Sequence, residues 1–209
     1  MAPKLLDLFC CQGGAGMGYH RAGFEVTGVD LHPQKRYPFT FIQGDALEYL
    51  REHGHEYDVI HASPPCQAYS ESTPMKSRAN YPKLIGPLRS LLQDIGQPYI
   101  IENVEGARSE LVNPIMLCGT MFGLPVWRHR YFEMPGFSFP APAGCDHRHR
   151  PVTIHCGSNT RKTRAFTTAD EARKALGVEW MSLAGVYECI PPAYTQYLGQ
   201  QIFREWNQP

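Results

Sequence analysis

Long apolar runs are missing from this chain. No stretch approaches the roughly 18 apolar residues of a membrane-spanning helix, and the opening MAPKLLDLFCCQGGAG reaches an acid and glycines too soon for a signal peptide's apolar core. A membrane partner is therefore not expected, and a cytosolic location is. Excess charge of one sign is missing too. With 20 basic and 20 acidic residues the formal net charge is +0, which argues against a partner held by overall charge but leaves room for a local patch. There is no even, closely spaced set of cysteines. Cys10, Cys11, Cys66, Cys118, Cys145, Cys156 and Cys189 are odd in number and scattered, which favours free thiols, a catalytic thiol or metal ligands over disulfides. Internal repeats and low-complexity segments are also absent, and 43% hydrophobic with 19% charged residues is an ordinary globular balance. A single domain over residues 1–209 is expected.

What is present alternates. Lys4 to Phe9 is an apolar run that ends in CCQGGAGMG, and Glu25 to Val29 is a second run closing on Asp30. TFIQGDA, YDVIHASPP and PYIIENV read as further strands, and Leu84, Leu88, Leu91, Leu92 and Ile95 recur at helical spacing between the last two. Strands alternating with helices predict an α/β fold with a doubly wound, mostly parallel sheet. Beyond WRHRYFEM, proline, glycine and aromatics signal loops. TTADEARKAL then has a capping threonine and a basic last turn, and PPAYTQYLGQQIFREW carries an apolar stripe after two prolines.

Glycines 13, 14, 16 and 18 follow the first strand, where backbone can approach a ligand closely at a helix start. Asp30, 16 residues after Gly14, stands where a ribose-binding carboxylate is expected in dinucleotide-type folds, while a plain tight turn is the simpler reading of the glycines. Asp45 ends the third strand, either as an acceptor for a base amino group or as an exposed loop aspartate. Cys66 follows Pro64 and Pro65, which stop a strand and fix the direction of the thiol. Arginines nearby, Arg128 and Arg130, are expected to lower its pKa. Glu102 follows two isoleucines, so burial should raise its pKa and let it carry a proton; a structural ion pair with Arg130 is the alternative.

In this order and spacing, DLFCCQGGAGMGYHRAGF, SPPCQAYS, IIENV and WRHRYF resemble the DNA cytosine-5 methyltransferases over Lys4 to about Pro135. ECIPPAYTQYLGQQI is similar to a divergent form of the family's last motif, whose helix returns to the glycine loop. The resemblance implies a Rossmann-like methyltransferase fold, S-adenosylmethionine as cofactor and DNA as substrate. It implies that Phe9, Gln12, Gly13, Gly14, Asp30, Leu31, Asp45, Ala46 and Pro65 hold the cofactor. Cys66 would attack carbon 6 of the cytosine, Glu102 would bond ring nitrogen 3, and Arg128 and Arg130 would position base and carboxylate. Pro64, Gln67, Ser70, Asn103 and Val104 would lie against the base.

The chain departs from the family's pattern at Cys11, at Val126 and at Tyr187-Glu188, and above all in length. A target-recognition domain of the usual size does not fit between the arginine motif and the last motif; a short insert of about 134–166 takes its place. Recognition would then be weak, or supplied by this stub, a partner subunit or a dimer. From Arg128 to Arg164 seven basic residues face only Glu133 and Asp146. Arg148, Arg150, Arg161, Lys162 and Arg164 are the expected phosphate contacts, with a solvated loop as the plain alternative. Cys145, His147, His149 and Cys156 are chemically suited to zinc, but their spacing is not a standard one, and no metal is assigned. RNA or free cytosine nucleotides as substrates, a modified cofactor, and a catalytically silent binding subunit are the rival readings. The compact size suits a phage or restriction-modification setting.

Overall fold

The computed structural model describes residues 1–138, 142–154, 164–165 and 168–206. In chain order the elements are β1 (Lys4–Leu8), α1 (Gly14–Ala22), β2 (Glu25–Asp30), β3 (Thr40–Gln43), α2 (Ala46–His53), β4 (Val59–Ala62), α3 (Met75–Arg78) and α4 (Ile85–Ile95). Then come β5 (Tyr99–Asn103), β6 (Ile115–Leu117), β7 (Arg130–Glu133), β8 (Val152–Thr153), β9 (Arg164–Ala165), α5 (Ala169–Leu176), α6 (Leu183–Glu188) and α7 (Pro192–Trp206). The described residues form a seven-stranded sheet in the order β3-β2-β1-β4-β5-β7-β6, with β8 and β9 as a separate parallel pair. No helix among them is long and apolar enough to cross a membrane.

Strand side chains alternate between faces, so the central strands are apolar on both sides. Leu6, Leu8, Ile60, Ala62 and Ile101 pack with Leu50 of α2 and with Leu88 and Leu92 of α4. On the other face Leu5, Val59, Ile100 and Phe132 pack with Tyr19 of α1 and with Tyr194, Leu198 and Ile202 of α7. A third cluster joins Val126, Val152 and Ile154 to Leu176 and Val186, so the described part of the short insert sits on α5 and α6.

The chain runs outward from β1 to β3 and then returns to β4 beside β1. That reversal opens a crevice at the carboxyl ends of β1 and β4, where open α/β sheets bind their ligands. The doubly wound sheet expected from the sequence is present. The strand bearing Arg130 is not parallel to its neighbours. β7 pairs antiparallel with both β5 and β6. Its amino-terminal end therefore lies at the carboxyl edge of β5, and the arginines reach the same edge of the sheet from the opposite direction.

Candidate active site

Pro64 and Pro65 follow β4 and offer the sheet no N–H, so the chain turns away at Cys66. The Cys66 carbonyl accepts from the N–H groups of Tyr69 (2.9 Å) and Ser70 (2.8 Å), which closes a tight turn around the half-buried thiol. Asn103, at the end of neighbouring β5, donates from Nδ2 to the Pro64 carbonyl at 2.9 Å and accepts the Val104 N–H on Oδ1 at 3.0 Å. Asn103 is only 1% exposed, so it braces the cysteine loop from beneath. Gln67 is exposed, and Ser70 Oγ accepts the Ser72 N–H.

Glu102 sits one residue earlier on β5, buried, with Arg130 Nε 3.1 Å from its Oε1. The alignment is that of an ion pair without a hydrogen bond, which leaves a hydrogen-bonding position on Oε1 unfilled. Ser63 bonds the same carboxyl and behind it stands a chain of buried groups. His61 Nε2 lies 2.9 Å from Ser63 Oγ, and His61 Nδ1 lies 3.0 Å from Tyr19 Oη. Burial pushes the His61 pKa down to about 3, so the ring is neutral, and burial keeps the Tyr19 phenol protonated. With Ser63 donating to the Glu102 carboxylate, the chain of donation runs from Tyr19 to Nδ1 and from Nε2–H to Ser63. All four side chains belong to the α1 face of the sheet, and although the quoted motifs contain Tyr19 and Ser63, the sequence assigned no role to either or to His61.

Burial is the largest influence on Glu102 and raises its pKa above the usual carboxylate range, although Arg130 and Ser63 pull the other way. The same holds for Cys66. Burial and then the Glu102 charge push the thiol up, and Arg130 and Arg128 do not overcome them. Both arginines pull this pKa down as expected, but burial outweighs the two guanidinium groups and the resting thiol is neutral.

Arg128, in a left-handed backbone conformation with φ 30°, donates Nε to the Cys189 carbonyl (2.9 Å) and Nη2 to that of Tyr187 (2.7 Å). Tyr194 Oη returns a bond to the Arg128 carbonyl at 2.8 Å. Arg128 thus ties the arginine strand to the last segment of the chain, and its charge still registers at Glu102 and Cys66. Arg148 is clamped on Asp146, with Nη2 to Oδ2 at 2.6 Å, instead of standing free for a phosphate. Of the other basic candidates, Arg150 is exposed, Arg164 lies on β9, and Arg161 and Lys162 fall outside the described residues.

The glycine loop forms the neighbouring wall. Phe9 (φ 58°), Cys11 (φ 45°) and Gly13 (φ 79°) are all left-handed, a strained turn that needs outside support. Asp30 provides some, accepting the Cys11 N–H on Oδ2 and the His32 N–H on Oδ1, each at 3.0 Å. Gln12 provides more. Its amide donates to Ser182 Oγ and accepts the Ser182 N–H, both at 2.8 Å, while its carbonyl takes Trp180 Nε1–H at 2.8 Å. Gln12 therefore fastens the loop to the carboxyl-terminal region. Gly13 has no room for a side chain, since a Cβ there would meet Pro38 at 2.9 Å and the Tyr37 ring at 3.0 Å. Beyond Asp30, Leu31 is 61% exposed at the strand end, a bare apolar face beside an acid. Asp45 caps α2 through Oδ1, which accepts from Leu47 (2.8 Å) and Glu48 (2.9 Å), and buried Ala46 follows it. The residues that sequence reasoning placed around a nucleotide cofactor thus line one edge: two acids, an exposed leucine and a glycine turn.

No family model matches the chain. Over 118 residues, 51% of its length, it is 35% identical to the type II methyltransferase M.FnuDI of Fusobacterium nucleatum. Over 164 residues it is 25% identical to the type II methyltransferase M.AgeI of Thalassovita gelatinovora. These matches span 34% and 38% of the two relatives, so the chain corresponds to little more than a third of their length. Among solved structures, an E. coli prophage protein assigned to DNA modification methylation superposes with TM-score 0.71 at 16% identity, covering 99% of this chain and 100% of that one. The chain is thus similar to part of two type II methyltransferases, and it has the Rossmann-like fold of the methyltransferase structures it superposes on.

Proposed function

We propose that this relative of the type II methyltransferases transfers a methyl group from S-adenosylmethionine to carbon 5 of cytosine in DNA, with Cys66 as nucleophile. The observation that carries the reading is the grouping of a braced thiol with the Glu102–Arg130 pair at the sheet edge that also bears the glycine loop. The cofactor edge fits such a ligand. Asp30 would accept ribose hydroxyls, Leu31 and Phe9 would lie against adenine, Asp45 Oδ2 would accept its amino group, and Pro65 would stand close to the methyl donor. When bound, the sulfonium supplies an electrophilic methyl group.

The chain's own residues do the rest. The Cys66 thiol gives up its proton to solvent water as the base enters, and its sulfur bonds to carbon 6. Glu102, protonated, gives its proton to ring nitrogen 3 and so holds the electron pair that the attack displaces. Ser63 and neutral His61 keep the carboxyl aimed, and Arg130 and Arg128 favour the thiolate as it forms. Carbon 5 then takes the methyl group, and loss of its proton to a water molecule restores the double bond and expels Cys66 as the nitrogen 3 proton returns to Glu102. In a duplex the base must first be turned out of the stack, which costs a few kcal/mol offset by protein contacts. Arg150, Arg161, Lys162 and Arg164 are the proposed phosphate contacts, and sequence preference comes from the short insert of about 134–166, a partner subunit or a second copy.

The test incubates the chain with labelled S-adenosylmethionine and, separately, duplex DNA, single-stranded DNA, RNA and cytidine nucleotides. Label should enter DNA, and Cys66→Ser should reduce transfer to background while cofactor still binds. Label entering only RNA or nucleotides would overturn the DNA assignment. Transfer that survives in Cys66→Ser would overturn the nucleophile, and cofactor binding with transfer to nothing would overturn the enzyme.

A further inference from the structure

Among the described residues, Cys118, His129, Cys145 and His147 bring one sulfur or ring nitrogen each to within 4.8 Å of one another. They come from two places. β6 and β7 are antiparallel, with Leu117 opposite Arg130, so Cys118 and His129 occupy the next facing positions just past the ladder. The Gly119 N–H to Trp127 carbonyl bond at 3.0 Å keeps the two chains together there. Cys145 and His147 are two positions apart, which directs both to one side where the chain is extended. The Asp146 N–H between them donates to Thr120 Oγ1 at 3.1 Å, and Thr120 Oγ1 lies 3.3 Å from Cys118 Sγ. Trp127 stacks on the His147 ring at 4.3 Å between centroids.

We propose that these four residues bind one zinc ion in a closed, structural Cys2His2 site. Tetrahedral zinc with bonds of about 2.3 Å to sulfur and 2.0–2.1 Å to nitrogen sets its ligand atoms roughly 3.3–3.8 Å apart. His147 Nε2 lies 3.4 Å from Cys118 Sγ and 3.2 Å from His129 Nε2, close to those edges. Hydrogen bonding does not account for the group as well. His147 Nε2 faces two partners at once and has either one proton or one lone pair to offer, whereas a central cation attracts all four atoms together. Two thiolates and two neutral imidazoles also balance the ion's charge, and four protein ligands leave no open position for chemistry.

The quartet differs from the one suggested by sequence spacing. His149 is not part of it, and Cys156 lies outside the described residues; Cys118 and His129 were invisible because only the antiparallel ladder sets them opposite each other. His129 stands between Arg128 and Arg130. The ion would therefore pin the start of the short insert to the strand that presents both arginines, a clasp for a segment with little core of its own.

The test is metal analysis of the full chain purified without chelators from zinc-supplemented cells, with about one zinc per chain expected. Replacement by Co2+ should give intense visible bands of tetrahedral geometry and near-ultraviolet thiolate charge-transfer bands. Cys145→Ser and His147→Ala should each lose the metal, and His149→Ala should keep it. The wild-type cobalt spectrum needs no variant, so a variant that fails to fold does not blunt the test. Wild-type chain without zinc and without that spectrum would overturn the site, as would equal loss in His149→Ala or a Cys118–Cys145 disulfide in freshly purified, unreduced protein. Methyl transfer is read separately, so the outcome does not touch the proposed reaction.

Discussion

Cys66 and Glu102 both hold their protons more tightly than free side chains do, and the Glu102 charge raises the thiol further. The proposed reaction needs a thiolate beside a carboxylic acid, so the active form is the one in which the thiol has lost its proton and the carboxyl has kept its own. The fraction in that form rises with pH up to the lower of the two pKa values, stays level between them, and falls above the higher. Arg128, Arg130 and Ser63 face the pair and shift these limits. Glu102→Gln removes the need for the acid and lowers the thiol's pKa by removing a charge. Its residual rate of labelled transfer should rise with pH to a plateau and lack the falling limb of the wild-type profile. A falling limb that persists in Glu102→Gln would count against the assigned roles. That an acid and a thiol meet at one edge of the sheet was legible from IIENV and SPPCQ. That the thiol rests neutral was not, because the competition between burial and two arginines depends on how deeply the loop sits.

Helices α1 and α7 show the same division at a larger size. The glycines of α1 and the apolar stripe of α7 are plain in the sequence, but their joint use is a matter of contact. Gly18 of α1 lies against Thr195, Pro192 and Gln196 so closely that a Cβ would run into α7 backbone, and Thr195 Oγ1 donates to the Ala15 carbonyl at 2.8 Å. Glycine is there for close approach, since its φ is unexceptional. Gly18→Ala must push the helices apart, and overpacking of this kind costs about 1–3 kcal/mol, more than alanine's helix preference returns. The melting temperature should fall by about 2–4 °C for each kcal/mol in a chain of this size; an unchanged or raised value would show that α7 yields without cost. Between β6 and β7 the sequence was silent about direction. A short apolar run reads the same whichever way the strand lies, and the turn that reverses it is set by the sheet edge it joins.

Across the whole molecule, Asp7 and His61 are buried ionisable groups that push the pH dependence of stability in opposite directions. Asp7, 1% exposed beneath the glycine loop, has its pKa raised to about 8 by burial and by the charge of Asp30, against the bond from Tyr37. Unfolded, it ionises near 3.8, so between those values the folded state holds the extra proton and stability is lost as pH rises. His61 runs the other way, from 6.5 unfolded to about 3 folded, so its contribution grows with pH and is complete above 6.5. The two trends oppose each other from 3.8 to 6.5. Above that Asp7 remains, and Glu102 shares its sign. From pH 6.5 to 8 the wild-type chain should lose about 2 kcal/mol more than Asp7→Asn does, read as the difference in urea midpoints at constant m-value. Equal losses in both chains would place the raised proton elsewhere. The glycine loop, diproline–cysteine and glutamate–asparagine motifs were enough to place the ends of β1, β4 and β5, because each motif is local and a strand end is announced by proline or glycine. The chain sequence could not say that Arg128 would close on Tyr187 and Cys189, that Gln12 would clasp Ser182, or that Cys118 and His129 would meet Cys145 and His147. Those pairings join residues far apart along the chain, and they exist because burying both faces of one sheet brings its edges, loops and last helix to the same place.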